Sequence, residues 1–345
     1  MNIFIVLPYI LQHLFSIFLF TKYKKYFLVL SVLFFILVSL FKNDTYDLNS
    51  YYMVIEKNYP HVFEFSFYHL ILFFKNFTSD SRMVLYLVQG ILLLSFISLI
   101  PFLMKKDFKN YFFYSLIIIS SVAFNLAIYN NLRQSFSSIF IIMALFFYYE
   151  KRYLVFIVFI TLAQSFHESS IFFILYLLVI IILKQFYLLK KEVSIKIKRK
   201  FKIDSLFIIS IVFAIFSVFI LFFLLHFTAY ADYNNRFIED RILPIYKILP
   251  IMFLFIGSEL LIGKYKSKNK NFTLIRILRM HIFFIFFIIS FFMTFAEISP
   301  RILYMYFFIE MILMMYLFKF TMYKPFIFIC INYAFAINVI KILSN

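Results

Sequence analysis

The stretch "AQSFHESSIFF", residues 163–173, sets Gln164, Ser165, His167, Glu168, Ser169 and Ser170 between two apolar runs. A neutral imidazole takes a proton from a hydroxyl near neutral pH, so His167 is a candidate general base. Gln164, His167 and Glu168 share one face if a helix runs through them. In the competing reading Ser165 or Ser169 caps a helix start, and the stretch is a polar turn between two spans. A second cluster, "YNNLRQSFS" (129–137), centres on Arg133, with Asn125, Asn130, Asn131 and Gln134 around it and Ser137 one turn further on. Snorkelling explains one arginine at a span end. It does not require so many amides, and a guanidinium held by amides is suited to fork around a phosphate.

Other polar groups compete. In "DYNNRFIEDR" (232–241), Asp232, Arg236 and Asp240 stand at i, i+4 and i+8 and pair with each other on a helix, which leaves Arg241 over. Arg301 follows Pro300, a residue suited to a first helical turn. Asp44 and Asp47 in "NDTYD" are alternative general bases or metal carboxylates, although short D-x-x-D patterns recur in turns. Tyr46, Tyr51 and Tyr52 read as an aromatic belt, with a sugar-stacking surface as the alternative. There is no paired-cysteine zinc spacing, P-loop, Gly-rich dinucleotide loop or H-E-x-x-H helix, and the chain has only three glycines. No metal site and no cofactor are expected.

The elements that must position these groups are membrane spans. The chain has 345 residues and is 65% hydrophobic, far above a soluble domain. Its apolar runs are continuous rather than alternating, which favours helices over a β-barrel. The reading is an all-α polytopic membrane protein of about 12 transmembrane helices forming a single integral membrane domain over residues 1–345. The spans are expected at 2–20, 26–41, 84–104, 111–129, 134–149, 153–166, 170–187, 205–228, 245–262, 281–297, 302–318 and 325–343. The first run reads as a span rather than a cleaved leader, since it lacks a basic start and a small-residue cleavage site.

Charge sets the orientation. The blocks "KYKK", "KKDFK", "EKR", 184–203, 264–280 and "KFTMYK" carry most of the 34 Lys and Arg, which places them in the cytoplasm. The net charge of +18 therefore reads as cytoplasmic loops beside anionic lipid, and no nucleic-acid partner is expected. Both termini then lie outside, and so does every polar stretch named above. The longest outer segment is 43–82. Its second half, "FEFSFYHLILFFKNF", is too short for a span and reads as a helix lying at the interface or dipping back in. In a helical bundle, loops on one side converge on one cavity, and several guanidiniums with a nearby base suit a phosphate or pyrophosphate leaving group.

"N-x-x-R-Q" (Asn130 to Gln134) at a span start, a basic turn, and "F-H-x-S" (Phe166 to Ser169) after the next span resemble the EpsG-type branch of the Wzy-like polysaccharide polymerases. "D-T-Y-D-L-N-S-Y-Y" (Asp44 to Tyr52) resembles it too, so the likeness covers roughly residues 40–185. The resemblance implies a membrane glycosyltransferase with a GT-C-like bundle in a bacterial inner or plasma membrane, its site facing outward. It implies a lipid-linked glycan donor and acceptor, usually on undecaprenyl pyrophosphate, membrane lipid as surroundings, and a chain-length regulator as a further partner. Under it, Arg133, Arg236, Arg241 and Arg301 hold the pyrophosphate and His167 handles the acceptor hydroxyl. Asn130, Gln134, Gln164, Glu168, Asp44 and Asp47 are supporting candidates. Two other classes stay open: a lipid-linked oligosaccharide flippase, against which the gathering of charge at one face counts, and an O-antigen ligase or monosaccharide GT-C transferase.

Overall fold

The computed structural model describes residues 46–57, 63–104 and 131–168, together with 114, 117, 118, 121, 124, 170, 171, 174, 308, 311, 312, 314 and 315. The regular elements among the described residues are all helices: α1 (Tyr46–Glu56), α2 (Phe65–Lys75), α3 (Ser81–Met104), α4 (Leu132–Tyr149) and α5 (Tyr153–Phe166). The chain divides into two compact units, Met1–Ile174 with Leu317–Asn345, and Leu175–Tyr316. All five helices belong to the first. The second contributes Phe308, Met311, Ile312, Met314 and Met315, which are helical and buried.

α3 is the described helix long and apolar enough to cross a membrane. Its 24 residues extend about 36 Å, against a hydrocarbon core of about 30 Å. Asp80 caps its start: the Asp80 carboxylate accepts the Arg82 N–H at 2.8 Å, and the Asp80 N–H donates to Thr78 Oγ1 at 3.2 Å. Val84, Val88, Leu92, Phe96, Leu99 and Leu103 recur at helical spacing and are buried, while Leu94 on the other side is 65% exposed. This matches a helix with one face in the protein and one in lipid. The expected spans 84–104, 134–149 and 153–166 overlap α3, α4 and α5. Isolated helical residues fall within the expected spans 111–129, 170–187 and 302–318, and the remaining expected spans lie outside the described residues.

The segment from Tyr46 to Lys75 is folded as two short helices. α1 buries Leu48, Tyr51 and Ile55, and α2 buries Phe67, Ile71 and Phe74, each one stripe at helical spacing. Eleven residues give α2 a length of about 16 Å, too short to span. The Lys75 ammonium donates to the Ile55 carbonyl at 2.7 Å and ties the end of α2 to the end of α1. That carbonyl is one of the last-turn acceptors that α1 itself leaves unsatisfied.

α4 and α5 form an antiparallel hairpin across the turn Glu150, Lys151, Arg152. In lipid, helices gain little from the hydrophobic effect, so close contact of side chains and backbones must hold them together. Ala144 and Ala163 are fully buried, and Phe147 stacks on Phe159 at 5.3 Å while Phe166 lies against both Phe136 and Phe140. The turn itself closes α4. The Lys151 N–H donates to the Tyr148 carbonyl and the Arg152 N–H to the Phe147 carbonyl at 2.9 Å, with Lys151 in the left-handed region at φ 61°. This is a Schellman termination, with lysine where glycine is usual. A left-handed L-residue carries about 1–2 kcal/mol of steric cost. Lys151→Gly should therefore raise the thermal midpoint of the purified protein in micelles, by a gain on the order of 0.5–1 kcal/mol after glycine's larger unfolded-state entropy. Lys151→Val should lower it. A midpoint that falls with glycine would show that the left-handed turn is not what ends α4.

Candidate active site

Glu64 lies just before α2, in the aromatic run "HVFEFSFYHL". Its backbone is extended (φ −60°, ψ 152°) and holds the N-cap position, with the Tyr68 N–H on its carbonyl at 3.0 Å. Its side chain makes no cap hydrogen bond. The carboxylate instead turns towards α4 and the end of α5. Oε2 accepts Arg133 Nη1–H at 2.6 Å, and Oε1 faces His167 Nδ1 at 3.9 Å. One carboxylate thus stands between a guanidinium and an imidazole that are 34 positions apart in sequence.

Arg133 occupies the first turn of α4. Its Nε–H donates to the Tyr51 hydroxyl at 3.2 Å, and its guanidinium lies 5.6 Å from the Tyr51 ring centre and 5.4 Å from that of Phe63. These are cation–π distances. Tyr51, Phe63 and Phe67 pack on one another at 5.3–5.6 Å and fix this cage. A guanidinium has five N–H groups. Two are engaged by Glu64 and Tyr51, and among the described residues no other acceptor meets the fork. The Arg133, Glu64 and His167 side chains are 27%, 14% and 16% exposed, so each is partly open to solvent.

His167 ends α5. Its N–H still bonds the Ala163 carbonyl, but its own backbone is extended (φ −161°, ψ 128°). The Ser170 N–H then bonds the His167 carbonyl and the Ile171 N–H the Glu168 carbonyl, opening the next helical stretch. Two braces hold this turn. Ser170 Oγ donates to Gln164 Oε1 at 2.7 Å, across the bend. Ser66 and Ser165 meet at 2.6 Å, joining α2 to α5 two residues from Glu64 and two from His167. Ser165 has one hydroxyl hydrogen and gives it to the Leu162 carbonyl at 2.8 Å. Ser66 is therefore the donor in the serine pair.

Arg133 and His167 come together. Gln164 braces the His167 turn, and Gln134 is buried beside Arg133 in the first turn of α4. Several expectations need correction. The helix does not run through His167, so Gln164, His167 and Glu168 do not share a helical face. Glu168 is exposed in the turn, and the carboxylate that meets the imidazole is Glu64. Among the described residues Arg133 is held by a carboxylate and a phenol, while Asn125 and Asn130 lie outside them. Tyr51 is buried in the cage. Asp47 lies in α1, though its side chain is not among those described. Asp44, Asn130, Arg236, Arg241 and Arg301 lie outside the described residues. Glu64 is the residue that spacing does not reveal. One signal pointed to it: it is the sole acid between Glu56 and Asp80, and a lone carboxylate in an apolar run needs a partner.

Comparison with protein families matches residues 24–345 to the EpsG family, nearly the whole length. The chain belongs to the EpsG family. No curated protein and no solved structure matches it. EpsG membership makes it a membrane protein of polysaccharide biosynthesis, with a role of the polysaccharide-polymerase type. The match also extends the likeness read from residues 40–185 into the second half of the chain.

The serine pair is testable by itself. A hydrogen bond of this kind contributes about 0.5–1.5 kcal/mol. Ser66→Ala and Ser165→Ala should each lower the thermal midpoint, and the double variant should be no worse than the more damaging single one. Fully additive losses would show that the two hydroxyls do not pair.

Proposed function

We propose that this EpsG-family protein polymerises lipid-linked oligosaccharide repeat units, carried on undecaprenyl pyrophosphate, at the outer face of the membrane. What supports this reading most directly is that Arg133 and His167, from opposite ends of a helical hairpin, meet on the one carboxylate of Glu64 in a family of polymerases. The outward orientation rests on the gathering of Lys and Arg in the loops assigned to the cytoplasm.

The chemistry is a single displacement at the anomeric carbon of the donor glycan. The acceptor hydroxyl oxygen attacks, and a new carbon–oxygen bond forms. The bond from the anomeric carbon to the phosphate oxygen breaks, and its electron pair leaves with the pyrophosphate carrier. Attack opposite the leaving group inverts the configuration. Arg133 takes the developing phosphate charge on the part of its fork not used by Glu64 and Tyr51. His167 accepts the hydroxyl proton on Nε2, since Glu64 facing Nδ1 favours the tautomer with its hydrogen there. Gln164 and Gln134 support the two side chains.

Purified lipid-linked repeat unit incubated with membranes holding matched amounts of protein tests this. His167→Ala should slow chain growth on the order of 100- to 10,000-fold and leave single repeat units on the carrier. Arg133→Lys should lose most activity, because an ammonium cannot reproduce the planar fork. Long ladders from either variant at nearly the normal rate would contradict the assignment. Single sugar additions, glycan on lipid A, or no product from the unaltered protein would point to a monosaccharide transferase, a ligase or a flippase.

A further inference from the structure

We propose that Glu64 is a placeholder for the donor's pyrophosphate on Arg133, and that its displacement by the donor moves it onto His167 and readies the base. This rests on the polymerase reading above. Three observations carry it. The Glu64–Arg133 pair is a single hydrogen bond, Nη1–H to Oε2, not the two-pronged fork a guanidinium and a carboxylate make when geometry allows. The second oxygen, Oε1, already faces His167 Nδ1 but stands 3.9 Å away, about 1 Å beyond a hydrogen bond. The Glu64 side chain has no capping duty to α2 that would hold it where it is.

A phosphate brings more negative charge and more acceptor oxygens to Arg133 than a carboxylate does. Its arrival replaces Oε2 on Nη1, and Tyr51 and Phe63 keep the guanidinium in place through the exchange. The released carboxylate closes the short gap to Nδ1–H. A carboxylate hydrogen-bonded there stabilises the imidazolium and so makes Nε2 a stronger base, as in catalytic triads generally. Base strength thereby follows donor occupancy, and the acceptor hydroxyl is not deprotonated until a leaving group is in position. Glu64 is on this account a positioning residue, since it reaches the reacting atoms only through Arg133 and His167.

The signature is a split that a merely structural residue does not produce. Glu64→Gln removes the competitor from Arg133, so donor binding should tighten. If the carboxylate occupies the fork about nine-tenths of the time, the gain is roughly tenfold. The same variant should lower kcat by about 10- to 100-fold, because the imidazole loses the carboxylate that would steady its charged form. Among the described residues the groups paired with Glu64 are Arg133 and His167, with Tyr51 beside Arg133. The experiment uses the full-length protein in liposomes: inorganic pyrophosphate binding by calorimetry, and polymerisation kinetics with lipid-linked repeat unit. Tighter pyrophosphate binding together with reduced kcat supports the placeholder. Weaker or equal binding, or an unchanged kcat, overturns it. Glu64→Asp is the second variant: it keeps the competing charge but is shorter by one methylene. It should bind pyrophosphate like the native chain and still lose kcat, and loss of both would overturn the proposal. If the native protein makes no polymer, the polymerase reading fails. If it does and Glu64→Gln behaves like it, only the placeholder fails.

Discussion

The interaction on which the site depends is the Glu64–Arg133 ion pair. A carboxylate largely shielded from water is costly unless paired, and so is a guanidinium. Each makes the other tolerable, and the pair fixes where three separate pieces of chain must sit: the end of the α1–α2 connection, the start of α4 and the end of α5. Removing one member leaves the other charge without its partner, which for buried pairs typically costs about 3–5 kcal/mol. At 14% and 27% exposure this pair lies short of full burial, so the cost here is smaller. The incomplete burial also leaves the guanidinium partly open to solvent.

Each surrounding feature limits motion of one of these charges. The Tyr51, Phe63 and Phe67 rings hold the guanidinium by its face and by Nε–H. The Ser66–Ser165 bond fastens α2 to α5 beside the carboxylate and the imidazole together. Gln164 spans the bend that carries His167, and the Schellman turn at Lys151 sets how α5 returns along α4. The aromatic contacts between α4 and α5 then keep the two ends of the hairpin in register. In lipid such contacts replace the burial of apolar surface that stabilises a soluble core.

Much of this was legible in the sequence. The apolar runs and their polar breaks gave the helices at 84–104, 134–149 and 153–166 nearly to the residue, because length and continuity are strong signals in membranes. Arg133 and His167 stood out because charged and imidazole side chains at span ends are few. Glu64 did not, since its partners are 69 and 103 positions away and no local spacing encodes them. The helix α1 was hidden as well: "YDLNSYYMVIE" carries polar residues on much of its surface, and only Leu48, Tyr51 and Ile55 form its buried stripe. The end of α5 at Phe166 was legible, but the conformation of the turn that follows it was not. Ser165 can cap a helix start or bond back to a carbonyl one turn earlier, and the structure shows the second.

The central claim is that Glu64 and His167 act as one unit in the catalytic step. It is tested most directly by kcat at saturating donor for His167→Gln, Glu64→Gln and the double variant, each at matched protein level in liposomes. Residues that act as a unit lose activity non-additively. The account predicts that the double variant is no slower than His167→Gln alone, because Glu64 acts on turnover only through the imidazole. A double variant slowed by the product of the two single losses would contradict it.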